Sequence, residues 1–390
     1  MRTIVIPIPK NRTGDSSDVS NYRPISLASV IAKVLDSLLN RCLDKHVSLN
    51  DAQFGFRPGL STESAILCLK RTVQYYTARK TPVFACYLDL SKAFDLVAYH
   101  RLWDKMRSET SLPEEVILLF QHWYRNQKNN VRWAGSLSDE YSLTCGVRQG
   151  GLSSPTLFNL YMNRLIDELS STGIGCHIDG VCVNNISYAD DMVLLSPSSA
   201  ALRKMLKICE SYAVAQGLKY NAIKSEFMFF KPESPHHKRY TNVPHLTLFG
   251  TPLKSVETFK YLGHWVTEDL NDNQDIERER RSLAVRCNML ARRFAKCTDE
   301  AKITLFKAAY SDLRVQYNNA LRVLMGLPRF CSASAMLAEA HVDGFAAIMR
   351  KRCAAHLRRM RDSPNSILRA LADRWDSPML ARWIRLHAVR

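Results

Sequence analysis

The sequence predicts an α+β fold in which a mixed region of strands and helices is followed by a basic, helical region. Short apolar strand patterns and helical patterns follow one another in an order close to β-α-β-β-α-β, which is typical of a sheet with helices on one face. From residue 275 onward, glycine and β-branched residues become less frequent, whereas arginine and alanine increase. We therefore expect two regions, 1–267 and 268–390, and a sheet whose second face stays open for a nucleic-acid duplex.

Composition and charge favour a nucleic-acid partner. The 390 residues are enough for two or three domains, and the formal net charge is +17. Residues 276–390 hold 23 Lys and Arg against 10 Asp and Glu, which favours a polyanion: nucleic acid first, an anionic membrane second. No apolar stretch is long enough to cross a membrane, and the N-terminus lacks a signal-peptide core. The eleven scattered cysteines include no C-x-x-C, so we expect an intracellular protein with reduced thiols and no evident protein partner.

Two adjacent aspartates lie between apolar stretches in Tyr188-Ala189-Asp190-Asp191. The flanking pattern predicts a β-hairpin whose two-residue turn is the aspartate pair. Neighbouring carboxylates repel each other, which raises at least one pKa unless a cation lies between them. A solvated acidic turn is the ordinary interpretation of such a pair, and a metal site is the alternative.

A third aspartate favours the metal site. Asp89 ends the apolar stretch 84–88, and a helical pattern follows it. An aspartate at the end of a strand, within reach of a hairpin that bears two more, can form a two-metal site for phosphoryl transfer. The glycine-rich loop 146–151 lies between the acidic stretches along the chain, and its Gln149 can hydrogen-bond the sugar or the phosphate of a nucleotide.

These motifs together resemble those of reverse transcriptases, in the form found in LINE-type, non-LTR retrotransposons. They are Asp89 with Phe94 five residues later, Gly146-Val147-Arg148-Gln149-Gly150, and Tyr188-Ala189-Asp190-Asp191. The resemblance covers residues 1–267 and implies a right-hand polymerase, with fingers and a ferredoxin-like palm over 1–267 and a shortened thumb-like region over 268–390. It implies an RNA-directed DNA polymerase whose partners are an RNA template, a DNA primer and dNTPs, and a nuclear location if it acts at a chromosomal target.

The resemblance also implies roles for single residues. Asp89, Asp190 and Asp191 are expected to be catalytic and to hold two Mg²⁺ ions, for which Mn²⁺ can substitute. Asp95 is expected to be a local hydrogen-bonding group rather than a ligand. The expected dNTP-binding residues are Lys10, Arg23, Phe94, Gln149 and Lys224. Of these, Phe94 is expected at the start of the next helix, where its bulk excludes a 2′-hydroxyl, with core packing as the ordinary alternative.

Nucleic-acid contacts are expected in three places. Arg57 follows the pattern of the second fingers block, where a structural salt bridge is an equal alternative to a phosphate contact. The turn Leu262-Gly263 resembles the primer-gripping hairpin. The third place, where a solvated helix face is the equal alternative, is the basic cluster Arg350, Lys351 and Arg352.

Helical spacing predicts the remaining elements. A core-facing helix is expected over 27–47 from the apolar residues Leu27, Val30, Ile31, Val34, Leu35, Leu38, Leu39 and Leu43. In the basic region, amphipathic helices are expected at 276–297, 299–325, 345–361 and 365–388.

The chain departs from full-length LINE proteins in ways that keep other functions open. It shows no endonuclease pattern, it starts at the fingers strand, and only six residues separate Tyr310 from Tyr317, where relatives are expected to be longer. These departures indicate a truncated element copy. The alternative to a polymerase is then a catalytically weak or inactive nucleic-acid-binding remnant. A cellular polymerase of the group II intron or telomerase type is a third interpretation.

Overall fold

The computed structural model describes residues 2–11, 13–232, 244–309, 314–328, 330–372 and 374. The chain forms two compact units, Met1–Glu257 and Thr258–Arg390. Within the described ranges, no helix is long and apolar enough to cross a bilayer. The eleven cysteines are thiols, as expected.

The first unit is built from two larger sheets and the helices around them. Its elements in chain order are β1 (Arg2–Pro9), β2 (Tyr22–Ala28), α1 (Val30–His46), α2 (Thr62–Ala78), β3 (Val83–Leu88), α3 (Tyr99–Glu109), α4 (Glu114–Arg125), β4 (Lys128–Trp133), β5 (Ser136–Leu137), α5 (Ser154–Ser171), β6 (His177–Ile178), β7 (Val181–Cys182), β8 (Asn185–Tyr188), β9 (Asp191–Ser196), α6 (Ser199–Gln216), β10 (Glu226–Phe230), β11 (Thr247–Leu248), β12 (Thr251–Pro252) and β13 (Lys254–Ser255). One sheet has the strand order β2-β1-β4-β5, in which β1 and β2 form an antiparallel hairpin.

The second sheet has the strand order β13-β10-β3-β9-β8. Along the chain, β3, α5, β8, β9, α6 and β10 follow one another as β-α-β-β-α-β, so the predicted α+β arrangement is confirmed. Helix α6 packs against β3 and β9, and α5 packs against β8. The short strand β13 extends this sheet by pairing with β10 in parallel.

The middle of this sheet is buried on both faces. All six residues of β3 are buried, and so are the last five of β9 and the last four of β10. A continuous apolar strand without polar alternation is typical of a strand covered on both sides. The expectation of an open second face is therefore wrong for the middle of the sheet, and exposed polar groups are found at the ends of its strands.

Helix α1 forms where it was predicted, but it does not bury the predicted face. Val30 and Ile31 are each 77% exposed, and Leu38 is 55% exposed. The residues that are buried instead are Ala32, Asp36, Leu39 and Leu43. The orientation of α1 thus follows a buried carboxylate rather than its most apolar stripe.

Asp36 joins α1 to the start of α5. Its carboxylate accepts hydrogen bonds from the Leu152 N–H at 2.7 Å and from the Ser153 hydroxyl at 2.5 Å. It also forms an ion pair with Arg148, at 3.4 Å between Oδ2 and Nη2, and both side chains are almost fully buried. The Arg148 guanidinium lies 4.1 Å from the centre of the Trp123 ring, a cation–π contact. A single buried carboxylate therefore fixes the loop that leads into α5.

The second unit is a hairpin followed by helices around their own core. Its elements are β14 (Thr258–Tyr261), β15 (His264–Thr267), α7 (Asn273–Arg293), α8 (Asp299–Ala309), α9 (Arg314–Met325), α10 (Ala333–Glu339), α11 (Phe345–Arg361) and α12 (Ser366–Ala372). The core includes the buried side chains Leu283, Phe306, Tyr317, Leu321 and Met336. The predicted helix 345–361 matches α11, the predicted helix 276–297 corresponds to α7, and α10 was not predicted.

Some predictions for this unit fall partly outside the described residues. The predicted helix 299–325 contains α8 and α9, but residues 310–313 between them are not described. The prediction of a shortened thumb depends on this segment and stays a prediction. Of the predicted helix 365–388, the described part contains α12.

We expect the replacement Asp36→Ala to lower the free energy of unfolding of the first unit by about 3–5 kcal/mol. The reason is that it leaves the Arg148 guanidinium buried without an opposite charge. Urea unfolding of the two proteins measures the difference. Asp44→Ala, at an exposed position of the same helix, is the matched control and should change stability by less than about 0.5 kcal/mol. Equal small effects of both replacements would show that the buried ion pair does not hold the loop.

Candidate active site

The predicted aspartate hairpin is confirmed, but its turn differs by one residue. Tyr188 pairs with Asp191, so the two-residue turn is Ala189-Asp190 rather than Asp190-Asp191. Asp190 lies at the tip, and Asp191 is the first residue of β9. Ala189 has a φ of 57°, which is uncommon for a residue other than glycine.

Gln53 holds this unusual turn in place. Its buried Oε1 accepts hydrogen bonds from the Ala189 N–H at 3.0 Å and from the Gly55 N–H at 2.8 Å. A Cβ at Gly55 would lie 2.4 Å from the Ala189 nitrogen, so a side chain there would displace the turn. The sequence analysis did not identify Gln53, because nothing local to it shows that it faces a hairpin about 130 residues away in the chain.

The strand register brings Asp89 to the same end of the sheet. Leu88 at the end of β3 pairs with Met192, so the next residue, Asp89, comes level with Asp191. Asp89 is half-buried, and its backbone is fixed on both sides. Its N–H donates to the Ser225 hydroxyl at 3.1 Å, and its C=O accepts from the Asn221 N–H at 2.8 Å. The structure therefore brings the three predicted carboxylates together.

Burial and mutual repulsion raise the pKa of two of these carboxyls. Partial burial raises the pKa of Asp191 to about 6, with added repulsion from Asp190 and Asp89. Burial and the Asp89 charge also raise the pKa of Asp190, whereas its backbone hydrogen bond and the positive charge of Arg23 lower it. Three carboxylates in electrostatic reach of one another are most stable beside a cation.

The donor set suits a magnesium ion in its chemistry. Carboxylate oxygens are the ligands that Mg²⁺ prefers, and the raised pKa values show that negative charge is in excess here. Within the described ranges, however, no group of three or more acidic, histidine or cysteine side chains could hold a metal as they stand. Metal binding would therefore require these side chains to turn toward a shared point.

Lys224 lies on the turn that holds Asp89. The Asn221 Oδ1 accepts from the N–H groups of Ile223 and Lys224, both at 3.2 Å, and this forms the turn between α6 and β10. The Lys224 side chain is exposed at this turn. Asn221 and Ser225 were not identified from the sequence as positioning residues, although asparagine is frequent in such turns.

The Gln149 loop packs against the 3-10 turn Ala93–Leu96. The Val147 N–H donates to the Phe94 C=O at 2.8 Å, and the Gly146 N–H donates to the Val97 C=O at 2.8 Å. Gly146 has a φ of 91°, and a Cβ there would come within 2.9 Å of the Asp95 C=O oxygen. Only glycine permits this approach. The two predicted sugar-contacting residues, Phe94 and Gln149, therefore lie on adjoining segments.

Phe94 and Asp95 differ in detail from their predictions. Phe94 lies on the 3-10 turn and not in the first turn of α3, and its half-buried ring stacks on Phe158 at 4.5 Å between centroids. Asp95 is a hydrogen-bonding group, as predicted, but its side-chain partner is not local. Its Oδ1 accepts from the Gln149 Nε2 at 3.1 Å.

The two basic fingers residues have different surroundings. Arg23 is exposed on β2, and its charge lowers the pKa of Asp190, so it lies within electrostatic reach of the carboxylates. Lys10 lies in the connection between β1 and β2. Its Nζ donates to the Ser20 C=O at 2.9 Å, which draws the two ends of this connection together.

The predicted nucleic-acid contacts have the following surroundings. The Arg57 guanidinium donates to the Asn50 and Gln53 C=O groups at 2.8 and 3.1 Å and lies 3.8 Å from Asp51, which is the structural alternative weighed for this residue. Leu262 and Gly263 form the β14–β15 turn, with φ of 47° and 83°. On α11, Arg350, Lys351 and Arg352 are exposed, and Lys351 pairs with Asp343 at 2.5 Å.

Comparison with known proteins identifies relatives among mobile elements. A retrovirus-related Pol polyprotein from the type-2 retrotransposable element R2DM of Drosophila melanogaster is 29% identical over 273 residues, which are 67% of this chain and 24% of that protein. The RNA-directed DNA polymerase from the mobile element jockey of Drosophila funebris is 25% identical over 386 residues, which are 91% of this chain and 41% of that protein. The chain thus spans well under half of the length of these relatives.

Similar solved structures are telomerases. A telomerase from Candida albicans in complex with a TWJ fragment of telomeric RNA is 12% identical, with a TM-score of 0.47, and covers 100% of this chain and 62% of that chain. The corresponding structure from Candida tropicalis is 9% identical, with a TM-score of 0.48, and covers 100% of this chain and 64% of that chain.

The decisive match is to a protein family. The family described as reverse transcriptase (RNA-dependent DNA polymerase) matches residues 8–266, well over half of the chain. Asp89, Gln149 and the hairpin aspartates all lie inside the match. The right-hand polymerase class and the resemblance to reverse transcriptases of non-LTR retrotransposons are thereby confirmed. The chain belongs to the reverse transcriptase family.

Proposed function

We propose that this chain is the polymerase part of an RNA-directed DNA polymerase, which extends the 3′-hydroxyl of a DNA primer with dNTPs along an RNA template. The observation that supports this most strongly is the set of three carboxylates, Asp89, Asp190 and Asp191, at one end of the central sheet. Their pKa shifts indicate a need for cations, which is expected of a two-metal nucleotidyl transfer site.

The residues around the carboxylates can bind and orient a nucleotide. Two Mg²⁺ ions, when bound by the three aspartates, would stabilise the attacking and leaving oxygens. Arg23 is exposed beside the carboxylates and can pair with triphosphate oxygens. Lys224 lies on the turn that fixes Asp89, where it can give a proton to the departing pyrophosphate. Phe94 and Gln149, on adjoining segments, can contact the sugar.

A second function is supported by a specific observation. Within the described residues, the side chains do not form a group that could hold a metal as they stand. This favours a nucleic-acid-binding protein that keeps the fold but has lost turnover. Primer extension on an RNA template with Mg²⁺ separates the two functions, because only the polymerase lengthens the primer.

We expect Asp89→Ala and Asp190→Ala each to lower primer extension by at least about 10²-fold, because charge stabilisation at the reacting phosphate is lost. Binding of the primer–template should change little, since basic groups elsewhere hold the duplex. Rates come from gel-resolved extension, and affinities come from fluorescence anisotropy. Asp104→Ala, at an exposed position of α3, is the control and should leave both unchanged.

An equal loss of extension and binding in the two variants would contradict the catalytic assignment. A wild-type chain that binds the primer–template but never extends it would support the non-catalytic function instead.

We expect duplex binding to weaken steeply with salt, partly through the basic residues of α11. If Arg350 contacts a phosphate, Arg350→Ala should reduce the slope of log K against log salt by about 0.9 on a B-form duplex. The matched control is Arg107→Ala, because Glu114 already pairs with that guanidinium at 2.7 Å. Anisotropy titrations at several salt concentrations give both slopes. A flat salt response of the wild-type chain would rule out phosphate-dominated binding.

We expect Phe94→Val to admit ribonucleotides, because a smaller side chain no longer occupies the space beside the 2′ position of the sugar. The measurement is kcat/KM for a dNTP and for the matching rNTP on one primer–template. Phe120→Val, which shortens a fully buried ring in α4, is the control for lost packing and should lower both values together. If Phe94→Val also lowers both values equally, the stacking on Phe158 is the whole role of Phe94.

A further inference from the structure

Asp95 is a carboxylate of the site region to which the proposed two-metal chemistry assigns no task. It is half-buried on the 3-10 turn Ala93–Leu96, directly after Phe94. Its backbone is held in place, because its N–H donates to the Lys92 C=O at 2.9 Å and Gly146 packs closely against its C=O. Its Oδ1 lies 3.1 Å from the Gln149 Nε2. Asp95 thus presents a fixed acceptor to the Gln149 side chain.

The backbone around Gln149 is fixed as well. The Gln149 C=O accepts from the Ser26 N–H at 2.7 Å, and the preceding Arg148 is held by its ion pair with Asp36. The following Gly150 has a φ of 106°, and a Cβ there would lie 3.1 Å from the Ser26 C=O oxygen. With the backbone held on both sides, the main freedom left to Gln149 is the orientation of its amide.

The carboxylate of Asp95 removes this freedom. An amide has an oxygen that accepts and a nitrogen that donates, and the hydrogen-bond partner decides which of them faces it. An ionised carboxylate only accepts, so the Gln149 nitrogen must face Asp95 and the oxygen must face the other way. The group that Gln149 can offer to a ligand on that side is therefore an acceptor.

We propose that Asp95 is a positioning residue, which orients the Gln149 amide so that its Oε1 accepts a hydrogen bond from the 3′-hydroxyl of the incoming nucleotide. The inference rests on the proposed function and specifies which part of the nucleotide Gln149 contacts. Triphosphate oxygens are acceptors and do not pair with Oε1, whereas the 3′-hydroxyl is the donor on the sugar of a dNTP. The phosphates are then left to basic residues such as Arg23.

The inference is tested by comparing a dNTP with its 3′-deoxy analogue. The wild-type chain should prefer the dNTP, and Asp95→Asn should reduce the ratio of the two kcat/KM values by about tenfold, the effect of one hydrogen bond. The reason is that asparagine offers either a donor or an acceptor, so the Gln149 amide can turn over. Asp104→Asn, on the exposed face of α3, should leave the ratio unchanged.

A reciprocal exchange distinguishes orientation from a merely structural role. In the double variant Asp95→Asn with Gln149→Glu, the asparagine can donate to one carboxylate oxygen of residue 149. The other oxygen remains an acceptor for the hydroxyl, and the net charge is that of the wild type. The ratio should return toward the wild-type value, whereas Gln149→Glu alone sets two carboxylates against each other and should not restore it. A ratio that none of these variants changes would overturn the inference.

Nucleotide binding tests the same point without turnover. With Mg²⁺ present, a dNTP should raise the Tm of the wild-type chain more than its 3′-deoxy analogue does, and Asp95→Asn should remove the difference. Equal stabilisation of the wild-type chain by both nucleotides would overturn the inference. If the difference is present but no primer is extended, the polymerase function fails and the role of Asp95 stands.

Discussion

Three carboxylates repel one another at one end of the central sheet, and many of the contacts in the first unit hold them there. Gln53 stabilises the backbone of the hairpin tip although Ala189 has a positive φ. The Asn221–Ser225 turn fixes Asp89 from the other side of the strand. The fully buried strands β3 and β9 supply a rigid base, because continuous apolar packing permits little movement. The raised pKa of Asp191 is the electrostatic consequence of this arrangement.

A second set of contacts positions the loop that carries Gln149. Asp36 and Arg148 form a buried ion pair, and such pairs contribute little net stability but are costly to break. Here the pair fixes one backbone conformation on the N-terminal side of Gln149, and Ser26 fixes the loop from β2. The strand β2 also carries Arg23, so the loop and the basic fingers residue are joined through one element. This connection explains why α1 turns its buried carboxylate inward and leaves Val30 and Ile31 exposed.

Much of the fold and of the site could be predicted from local patterns. The apolar stretch before Asp89 predicted a buried strand, and the apolar residues around the aspartate pair predicted a hairpin; both are present. The turn was predicted one residue too late, because strand alternation sets the register only when the opposite strand is known. The buried face of α1 was wrong for a similar reason. Helical spacing identifies a helix, but the partner that turns one face inward was Arg148, more than 100 residues away in the chain.

By itself, the sequence determined which chemistry is present: the ordered acidic and glycine-rich motifs, the basic C-terminal region and the β-α-β-β-α-β order. These depend on residue type and on spacing within short segments, which the chain specifies directly. Only the tertiary structure decided which groups meet: Gln53 with the hairpin tip, Ser225 with Asp89, and Asp95 with Gln149. Each of these hydrogen bonds joins residues that are more than 50 positions apart. Their pairing depends on how the sheets and helices pack, and no local pattern encodes it.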